Sequence, residues 1–346
     1  MKNLYGYKLE DLEELMISLG QKKYRATQIF KWIYERGVTN FDEMSDISLS
    51  FREVLKNEFT LSIPTIYKKQ VSSDGTIKLL LSLGDDSKIE TVLMRYNYGL
   101  VACVTSQVGC NMGCAFCASG LFKKQRNLEV HELVGQILVL NNLLKEENKK
   151  ITHVVVMGTG EPFDNYDNVM DFINIINDAY ALAIGIRHIT VSTSGIVPKI
   201  KEFAKEGLGV NLAISLHAPN NEIRNKIMKI NKAYDINELI ESVKEYLKLT
   251  NRRVTFEYIM LKDINDTDEC AKELSNLLKG INCYVNIIPY NETNNIGFKR
   301  SLSSQITRFC GILKENNINV TIRREFGSKV SAACGQLRSK IEEENK

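Results

Sequence analysis

The sequence predicts an α/β fold: a partial (β/α)6-type barrel with a small N-terminal helical domain and a β-hairpin extension. Two observations lead to this prediction. From about residue 99 onward, short apolar strand patterns alternate with longer helical patterns, which is typical of parallel βαβ units. The six or seven strands are too few for a full eight-stranded barrel, so we expect an open one. Before residue 99, the hydrophobic periodicity is first helical and then strand-like.

The N-terminal part divides into two kinds of pattern. Apolar residues from Leu9 to Leu19 repeat at helical spacing, and two further helices are predicted at about 26–35 and 49–57. Ile77–Leu83 and Ile89–Met94 are strand-like runs on either side of a turn, which predicts a β-hairpin. The predicted domains are an N-terminal helical domain, the hairpin extension, the barrel core and a C-terminal segment, at residues 1–60, 61–95, 96–330 and 331–346.

Strands and helices alternate through the predicted barrel. The candidate strands are Ala102–Gln107, His153–Met157, His188–Ser192, Asn211–Leu216, Val254–Met260, Tyr284–Ile288 and Val320–Arg323. The helical patterns between them cover about 129–146, 166–180, 198–206, 221–247, 267–278 and 303–316. In a βα barrel the chemistry lies at the C-terminal ends of the strands, so functional residues are expected just after each strand.

Composition excludes several classes of protein. The chain has 346 residues, 44% of them hydrophobic, and no long biased tract, which argues against a disordered or fibrous protein. A net charge of +3 is too small to indicate a polyanion-binding molecule, so any nucleic-acid contact is local. Since no apolar run approaches a membrane span and the N-terminus lacks an apolar signal core, we expect a cytoplasmic protein without membrane contact.

A cysteine cluster is the clearest chemical motif. Cys110, Cys114 and Cys117 have the spacing C-x3-C-x2-C at the end of the first predicted barrel strand. Three thiolates on one tight loop suit a [4Fe–4S] cluster that keeps one iron open, whereas a structural zinc site needs four ligands. From spacing alone, a zinc site closed by Cys103 or a distant histidine, or simply buried thiols, are alternatives.

The residues around this loop carry a family resemblance. The loop resembles the signature of radical S-adenosylmethionine (SAM) enzymes. The segments Cys103–Cys110, Gly158–Pro162, Ser192–Gly195, Ser215–Pro219 and Ala332–Leu337 are similar to those of the RlmN/Cfr family of RNA adenine methyltransferases. The resemblance spans nearly the whole chain. It implies a radical SAM barrel that binds one [4Fe–4S] cluster through the three cysteines and uses two molecules of SAM per turnover.

The resemblance also implies where SAM binds. Glycines after a strand let the backbone approach a ligand, and a glutamate there can accept from an ammonium group. The alternative for these positions is an ordinary glycine turn and polar groups that cap strand ends. The implied SAM contacts are Gly160, Glu161, Ser192, Ser215, Leu216, His217 and Asn291. Two neighbours depart from the family pattern, Thr159 where methionine is more frequent and Glu292 where proline is frequent.

Three residues are implied in the transfer step. Carbon-2 of adenine does not react with an ordinary methyl electrophile, whereas a cysteine thiolate accepts a methyl group from a sulfonium readily. In the family, the cysteine matching Cys334 is methylated, loses a hydrogen atom from its S-methyl group and adds to carbon-2. Cys103 matches the cysteine that then attacks the linking sulfur and leaves a disulfide with Cys334. Glu90 aligns with the proposed proton acceptor.

Three groups of basic residues suggest an RNA substrate, namely those at 21–36 and 321–340 and Lys123, Lys124 and Arg126. For each group the alternative is a solvated face, with Phe30 and Trp32 in the core. The resemblance implies 23S rRNA and tRNA as substrates and a reductase such as flavodoxin or ferredoxin as electron donor. A monomer is the default expectation. The alternatives are a Cfr-type carbon-8 methyltransferase and a non-catalytic, zinc-containing RNA-binding protein.

Overall fold

The computed structural model describes residues 1–292 and 296–323. Its N-terminal part is helical, as predicted. The strands β1 (Lys2–Asn3) and β2 (Phe59–Thr60) pair in parallel and bring the two ends of this part together. The helices between them are α1 (Leu9–Ser18), α2 (Tyr24–Phe30), which continues into a π-helical turn at Lys31–Glu35, and α3 (Leu49–Glu58).

The extension is larger than the predicted hairpin. β3 (Thr65–Val71), β4 (Ile77–Ser82) and β5 (Lys88–Tyr96) form an antiparallel unit, and β5 pairs with the first barrel strand. The predicted hairpin corresponds to β4 and β5, and the prediction missed β3. β3 is an edge strand on which most residues are exposed, so it lacks the apolar alternation that marks a half-buried strand.

The barrel strands continue this sheet without a break. The sheet order is β14-β13-β12-β11-β10-β9-β6-β5-β4-β3, and all pairs from β6 to β14 are parallel. A separate small antiparallel pair, β7 with β8, stands after β6. The strands are β6 (Gly99–Cys103), β7 (Gln107–Val108), β8 (Arg126–Asn127), β9 (His153–Val156), β10 (Ile189–Thr193), β11 (Asn211–Ser215), β12 (Val254–Met260), β13 (Cys283–Pro289) and β14 (Val320–Ile322).

Helices follow the strands and cover one face of the sheet. They are α4 (Val130–Leu144), α5 (Tyr166–Asn177), α6 (Val197–Lys205), α7 (Asn221–Ile227), α8 (Ile236–Thr250), α9 (Asp268–Leu277) and α10 (Ser303–Glu315). Along β13, buried residues alternate with partly exposed ones, because one face packs under helices and the other faces the barrel interior. This architecture confirms the predicted open α/β barrel. Within the described ranges, no helix is long and apolar enough to cross a membrane.

Two predicted elements were wrong in extent. The single helix at 221–247 is two helices, because Met228 is extended and Asp235 caps α8 by accepting from the backbone N–H groups of Asn237 and Glu238. The first barrel strand ends at Cys103 rather than Gln107. Beyond Cys103, the Val104 N–H still donates to the Val155 carbonyl of β9, and the Ser106 N–H donates to the Thr159 carbonyl in the loop that follows β9.

Candidate active site

A cavity of about 340 Å³ lies where the barrel strands end. It is lined both by β4 and β5 of the extension and by Arg323 after β14, so the sheet curves around it. Nine of the predicted site residues line this one cavity: Cys110, Cys114, Cys117, Gly160, Glu161, Ser192, Ser215, His217 and Asn291. Glu90, Cys103 and Leu216 lie in the described part of the chain but are not among the lining residues. Cys334 lies outside the described residues.

The cysteine loop is held at both ends by backbone hydrogen bonds. β7 and β8 pair on either side of it, and the Cys110 N–H donates to the Phe122 carbonyl. Inside the loop, the Ala115 N–H donates to the carbonyl of Ile227 at the end of α7. Gly109 has φ +81°, and a Cβ there would lie 2.2 Å from the Lys123 carbonyl oxygen. Only glycine therefore fits at the entry to the loop.

Burial controls the chemistry of the three thiols. It raises the pKa of Cys110 to about 11 and raises that of Cys114 further, because Cys114 is more deeply buried, with smaller contributions from Cys117 and Cys110. Such groups stay protonated near neutral pH until a metal displaces the protons. Within residues 1–292 and 296–323, no three His, Cys, Asp or Glu side chains converge closely enough to hold a metal ion. The donor set, three cysteines on one pinned loop facing one cavity, fits an iron–sulfur cluster with an open iron.

Glu161 ties two strand-end loops together. One carboxylate oxygen accepts from the Phe163 N–H at 3.0 Å and the other from the Ser194 N–H at 2.7 Å. Burial raises the pKa of Glu161, against the opposing effect of these hydrogen bonds. Gly160 has φ +108°, and a Cβ there would lie 2.7 Å from the side chains of Gln107 and Ser106. Both carboxylate oxygens of Glu161 thus accept hydrogen bonds within the protein, and a contact of Glu161 with SAM stays a prediction.

His217 is fixed in a strained backbone conformation at the end of β11. Its φ is +58°, and its Nδ1 accepts from the Ile259 N–H at 3.1 Å. Burial, with a smaller contribution from the Arg224 charge, lowers the pKa of His217 to about 3. The imidazole is therefore neutral at physiological pH. Its Nδ1 is an acceptor, so the proton is on Nε2.

Leu216 differs from the other predicted SAM contacts. Its side chain is fully buried in the core. Its N–H donates to the Glu257 carbonyl, and its carbonyl accepts from Arg224 Nε at 3.2 Å. Both backbone groups thus have partners within the protein, and a role for Leu216 toward SAM stays a prediction.

Arg224 is a structural residue of the site that the sequence analysis missed. It is fully buried on α7, and its guanidinium donates to the carbonyls of Ser194, Ser215 and Leu216 and to Asn231 Oδ1. It therefore joins the loops after β10 and β11. An arginine in the polar sequence Asn220–Lys232 looks like a surface residue, so no local pattern marks it.

The predicted base and the predicted resolving cysteine lie on neighbouring strands. In the β5–β6 register, Cys103 stands opposite Val92. Val92 lies two positions after Glu90 on β5 and lines the cavity. The Glu90 carboxylate lies 3.0 Å from the ammonium group of Lys78, and both side chains are buried. Lys78 also lines the cavity. The sequence analysis missed Lys78, although a lysine within the apolar run Ile77–Leu81 was a usable signal.

Glu257 and Arg323 add charge to the interior of the barrel. Both line the cavity, and Asn286 Nδ2 donates to the Glu257 carboxylate at 2.9 Å. Burial raises the pKa of Glu257, while Arg323 and Asn286 act against this rise.

The three basic groups that were predicted to contact RNA differ in how the structure places their residues. Lys124 pairs with Asp164 at 2.7 Å, and Arg126 binds Glu132 with two nitrogens, so these two charges are compensated within the protein. Phe30 and Trp32 are buried core residues, as the alternative interpretation predicted. Residues 324–340 of the C-terminal group lie outside the described ranges.

A three-cysteine loop after the first strand of an open parallel barrel, with a Gly-Glu turn after the next strand, defines a radical SAM barrel protein. Comparison with known families agrees: residues 104–274 match the radical SAM superfamily, and residues 2–61 match the ribosomal RNA large subunit methyltransferase N-terminal domain. A crystal structure of a radical SAM methyltransferase from Sphaerobacter thermophilus is 41% identical, with a TM-score of 0.93 over 97% of this chain and 99% of that chain.

Curated relatives are similar over nearly their whole length. A probable dual-specificity RNA methyltransferase RlmN from Spiroplasma citri is 52% identical over 99% of both chains. One from Enterococcus faecalis (strain ATCC 700802 / V583) is 52% identical over 98% of this chain and 96% of its own. The chain belongs to the RlmN family of RNA methyltransferases within the radical SAM superfamily. Membership of that superfamily implies a [4Fe–4S] cluster and SAM.

Proposed function

We propose that this protein methylates carbon-2 of an adenosine in the peptidyl transferase centre of 23S rRNA, and of the adenosine next to the anticodon in some tRNAs. One observation carries the proposal. The cavity that the three loop cysteines line is also lined by Val92 and Met94 of β5, the strand that bears Glu90, and Cys103 stands opposite Val92 on the neighbouring strand β6. A carboxylate and a second thiol on these two strands would supply the groups that release of a sulfur-linked adenine requires.

Cys110, Cys114 and Cys117 would hold the cluster, and the residues at the strand ends, with Glu161 foremost, would hold SAM. When bound, these two groups supply a methyl group and the means to remove a hydrogen atom from it. Every later task falls to side chains of this chain. We expect electrons to come from a flavodoxin- or ferredoxin-type reductase.

The chain's own residues would then act in order. The Cys334 thiolate accepts the methyl group and presents it, as a methylene, to adenine carbon-2. Glu90 accepts the proton that leaves carbon-2, and the unpaired electron left by the radical addition passes to a one-electron acceptor, which the oxidised cluster would supply. The Cys103 thiolate attacks the Cys334 sulfur, so that a disulfide forms as the sulfur–carbon bond breaks, and the carbon released from sulfur takes up a proton from solvent to complete the methyl group. Reaching the target also requires that its base be taken out of the stack.

Nucleoside analysis tests this proposal. The purified, cluster-loaded protein is incubated with SAM, a reductant and either 23S rRNA or tRNA, and the digested RNA is analysed by mass spectrometry against synthetic standards. We expect 2-methyladenosine. 8-Methyladenosine would support the Cfr-type alternative, and RNA binding without any methylation, by a protein that holds zinc, would support the non-catalytic alternative.

A further inference from the structure

Lys78 is an unusual lysine. Its side chain is 1% exposed, and its ammonium nitrogen lies 3.0 Å from Glu90 Oε2, on a carboxylate that is 5% exposed. Lysine is almost never fully buried unless it is paired, because removing its charge from water is costly. Folding therefore removes two opposite charges on one face of β4 and β5 from water, which costs free energy. Stability alone is a poor explanation, since apolar residues of similar size commonly do as well.

Strand register places the pair at the cavity. Leu80 stands opposite Glu90 and Lys78 opposite Val92, so Lys78 and Glu90 are diagonal neighbours on one face of the antiparallel pair. Thr76 just before β4, Lys78 on β4, and Val92 and Met94 on β5 line the cavity. Glu90 precedes these β5 residues on the same strand and does not itself line the cavity. Thr105 Oγ1 donates to the Glu90 carbonyl at 2.6 Å and fixes its backbone.

We propose that Lys78 is a positioning residue that holds the Glu90 carboxylate in place beside the cavity for the release step. The inference rests on the proposed function. In that step the carboxylate takes the proton from adenine carbon-2, and the electron pair of the broken carbon–hydrogen bond stays in the ring. The unpaired electron left by addition of the methylene radical passes to a one-electron acceptor, which an oxidised iron–sulfur cluster would supply, and the proton passes on to solvent. Without Lys78, the buried carboxylate loses the charged partner that fixes its position.

The pair lies among other groups that must be held constant in a test. Besides the pair, the titratable groups on the cavity wall and the adjoining strand are Cys103, Cys110, Cys114, Cys117, Glu161, His217, Glu257, Tyr290 and Arg323. The test therefore changes only Lys78 and Glu90 and compares steps of one reaction. Methylation of Cys334 and formation of the covalent adduct precede proton removal, so a residue that acts through Glu90 should leave both earlier steps unchanged.

The experiment is a double-mutant cycle read in single-turnover assays of the full, cluster-loaded protein with RNA. The variants are Lys78→Met, Glu90→Gln and the two combined, with Lys78→Arg as the conservative replacement. We expect Glu90→Gln to slow release of RNA from the adduct roughly a hundredfold and Lys78→Met about tenfold or more, with adduct formation unchanged. In the Glu90→Gln background, Lys78→Met should have no further effect on release. Lys78→Arg should restore part of the rate.

The matched control is Lys244→Met, which removes a lysine from an exposed ion pair with Glu241 on α8 and should change neither step. The combined variant has a neutral pair, so it folds without an uncompensated charge and keeps the cycle measurable. Equal slowing of adduct formation and release by Lys78→Met, or additive effects in the cycle, would overturn the proposal for Lys78. Failure of the wild-type protein to form any adduct or 2-methyladenosine would instead overturn the proposed function.

Discussion

The Glu161 carboxylate accepts a hydrogen bond from the Ser194 N–H at 2.7 Å and thereby joins the loop after β9 to the loop after β10. The same carboxylate accepts from the Phe163 N–H and lines the cavity. A residue that sequence comparison implies as a SAM contact is thus also an internal tie. Effects on ligand binding and on folding must be separated at this position.

Two substitutions at Glu161 separate these roles. Glu161→Gln keeps one carbonyl acceptor, whereas Glu161→Ala leaves the buried N–H groups of Ser194 and Phe163 without this partner. We expect Glu161→Ala to lower the free energy of unfolding by about 1–3 kcal/mol, and Glu161→Gln to lower it less. Both should weaken SAM binding. Urea denaturation and calorimetric titration with SAM measure the two effects, and unchanged SAM affinity in a folded Glu161→Gln protein would contradict the assigned contact.

His217 gives the protein a pH dependence of stability. Its pKa is about 3 in the folded chain and about 6.5 when unfolded, so both states are neutral above pH 6.5. Below that pH only the unfolded chain takes up the proton. The free energy of unfolding should therefore fall by about 1.4 kcal/mol for each pH unit below 6.5 from this residue alone.

The matched variant for this effect is His217→Asn. Asparagine tolerates the positive φ, and its side-chain oxygen can accept from the Ile259 N–H. Chemical denaturation between pH 5 and 8 should show a shallower fall in stability for His217→Asn than for the wild type. Parallel curves for the two proteins would show that this imidazole is not held neutral.

The three loop cysteines should bind one oxygen-sensitive [4Fe–4S] cluster. Replacing any one of Cys110, Cys114 and Cys117 by serine should abolish stable iron and sulfide uptake under anaerobic reconstitution, since three thiolates are the minimum set on the loop. Cys310→Ala, a buried thiol on α10, is the control and should load normally. Iron and sulfide analysis with Mössbauer spectra reads the result. A stoichiometric zinc site that takes up no iron would contradict the assignment.

Cys103→Ala should trap the protein on its RNA. The thiol lies at the end of β6, beside the cavity, and its proposed task comes after the carbon–carbon bond has formed. Methylation of Cys334 and adduct formation should therefore continue while release fails. A denaturing gel should show a retarded, nuclease-sensitive band, and adding Cys334→Ala should abolish it. Normal turnover by Cys103→Ala would show that the Cys103 thiol has no role in release of the RNA.

The sequence predicted the parts of this molecule that local patterns encode. The alternation of strands and helices, the three-cysteine loop and the turn at Gly160 and Glu161 follow from periodicity, spacing and residue type, and they meet in one cavity. β3 was missed because an exposed edge strand has no apolar alternation. Arg224 was missed because its burial depends on partners from other segments, which no local pattern shows. Lys78 was missed although its place in an apolar run pointed to burial, because its partner Glu90 lies on another strand.

The most direct test of the central claim follows the methyl hydrogens. The cluster-loaded protein is supplied with SAM whose transferable methyl group carries three deuterium atoms, and the 2-methyladenosine released from the RNA is analysed by mass spectrometry. Transfer through Cys334 removes one of these atoms before the carbon joins adenine, and the last hydrogen comes from solvent. We predict a product methyl group with two deuterium atoms and one ordinary hydrogen. A product that retains all three deuterium atoms would show direct methyl transfer and contradict the account.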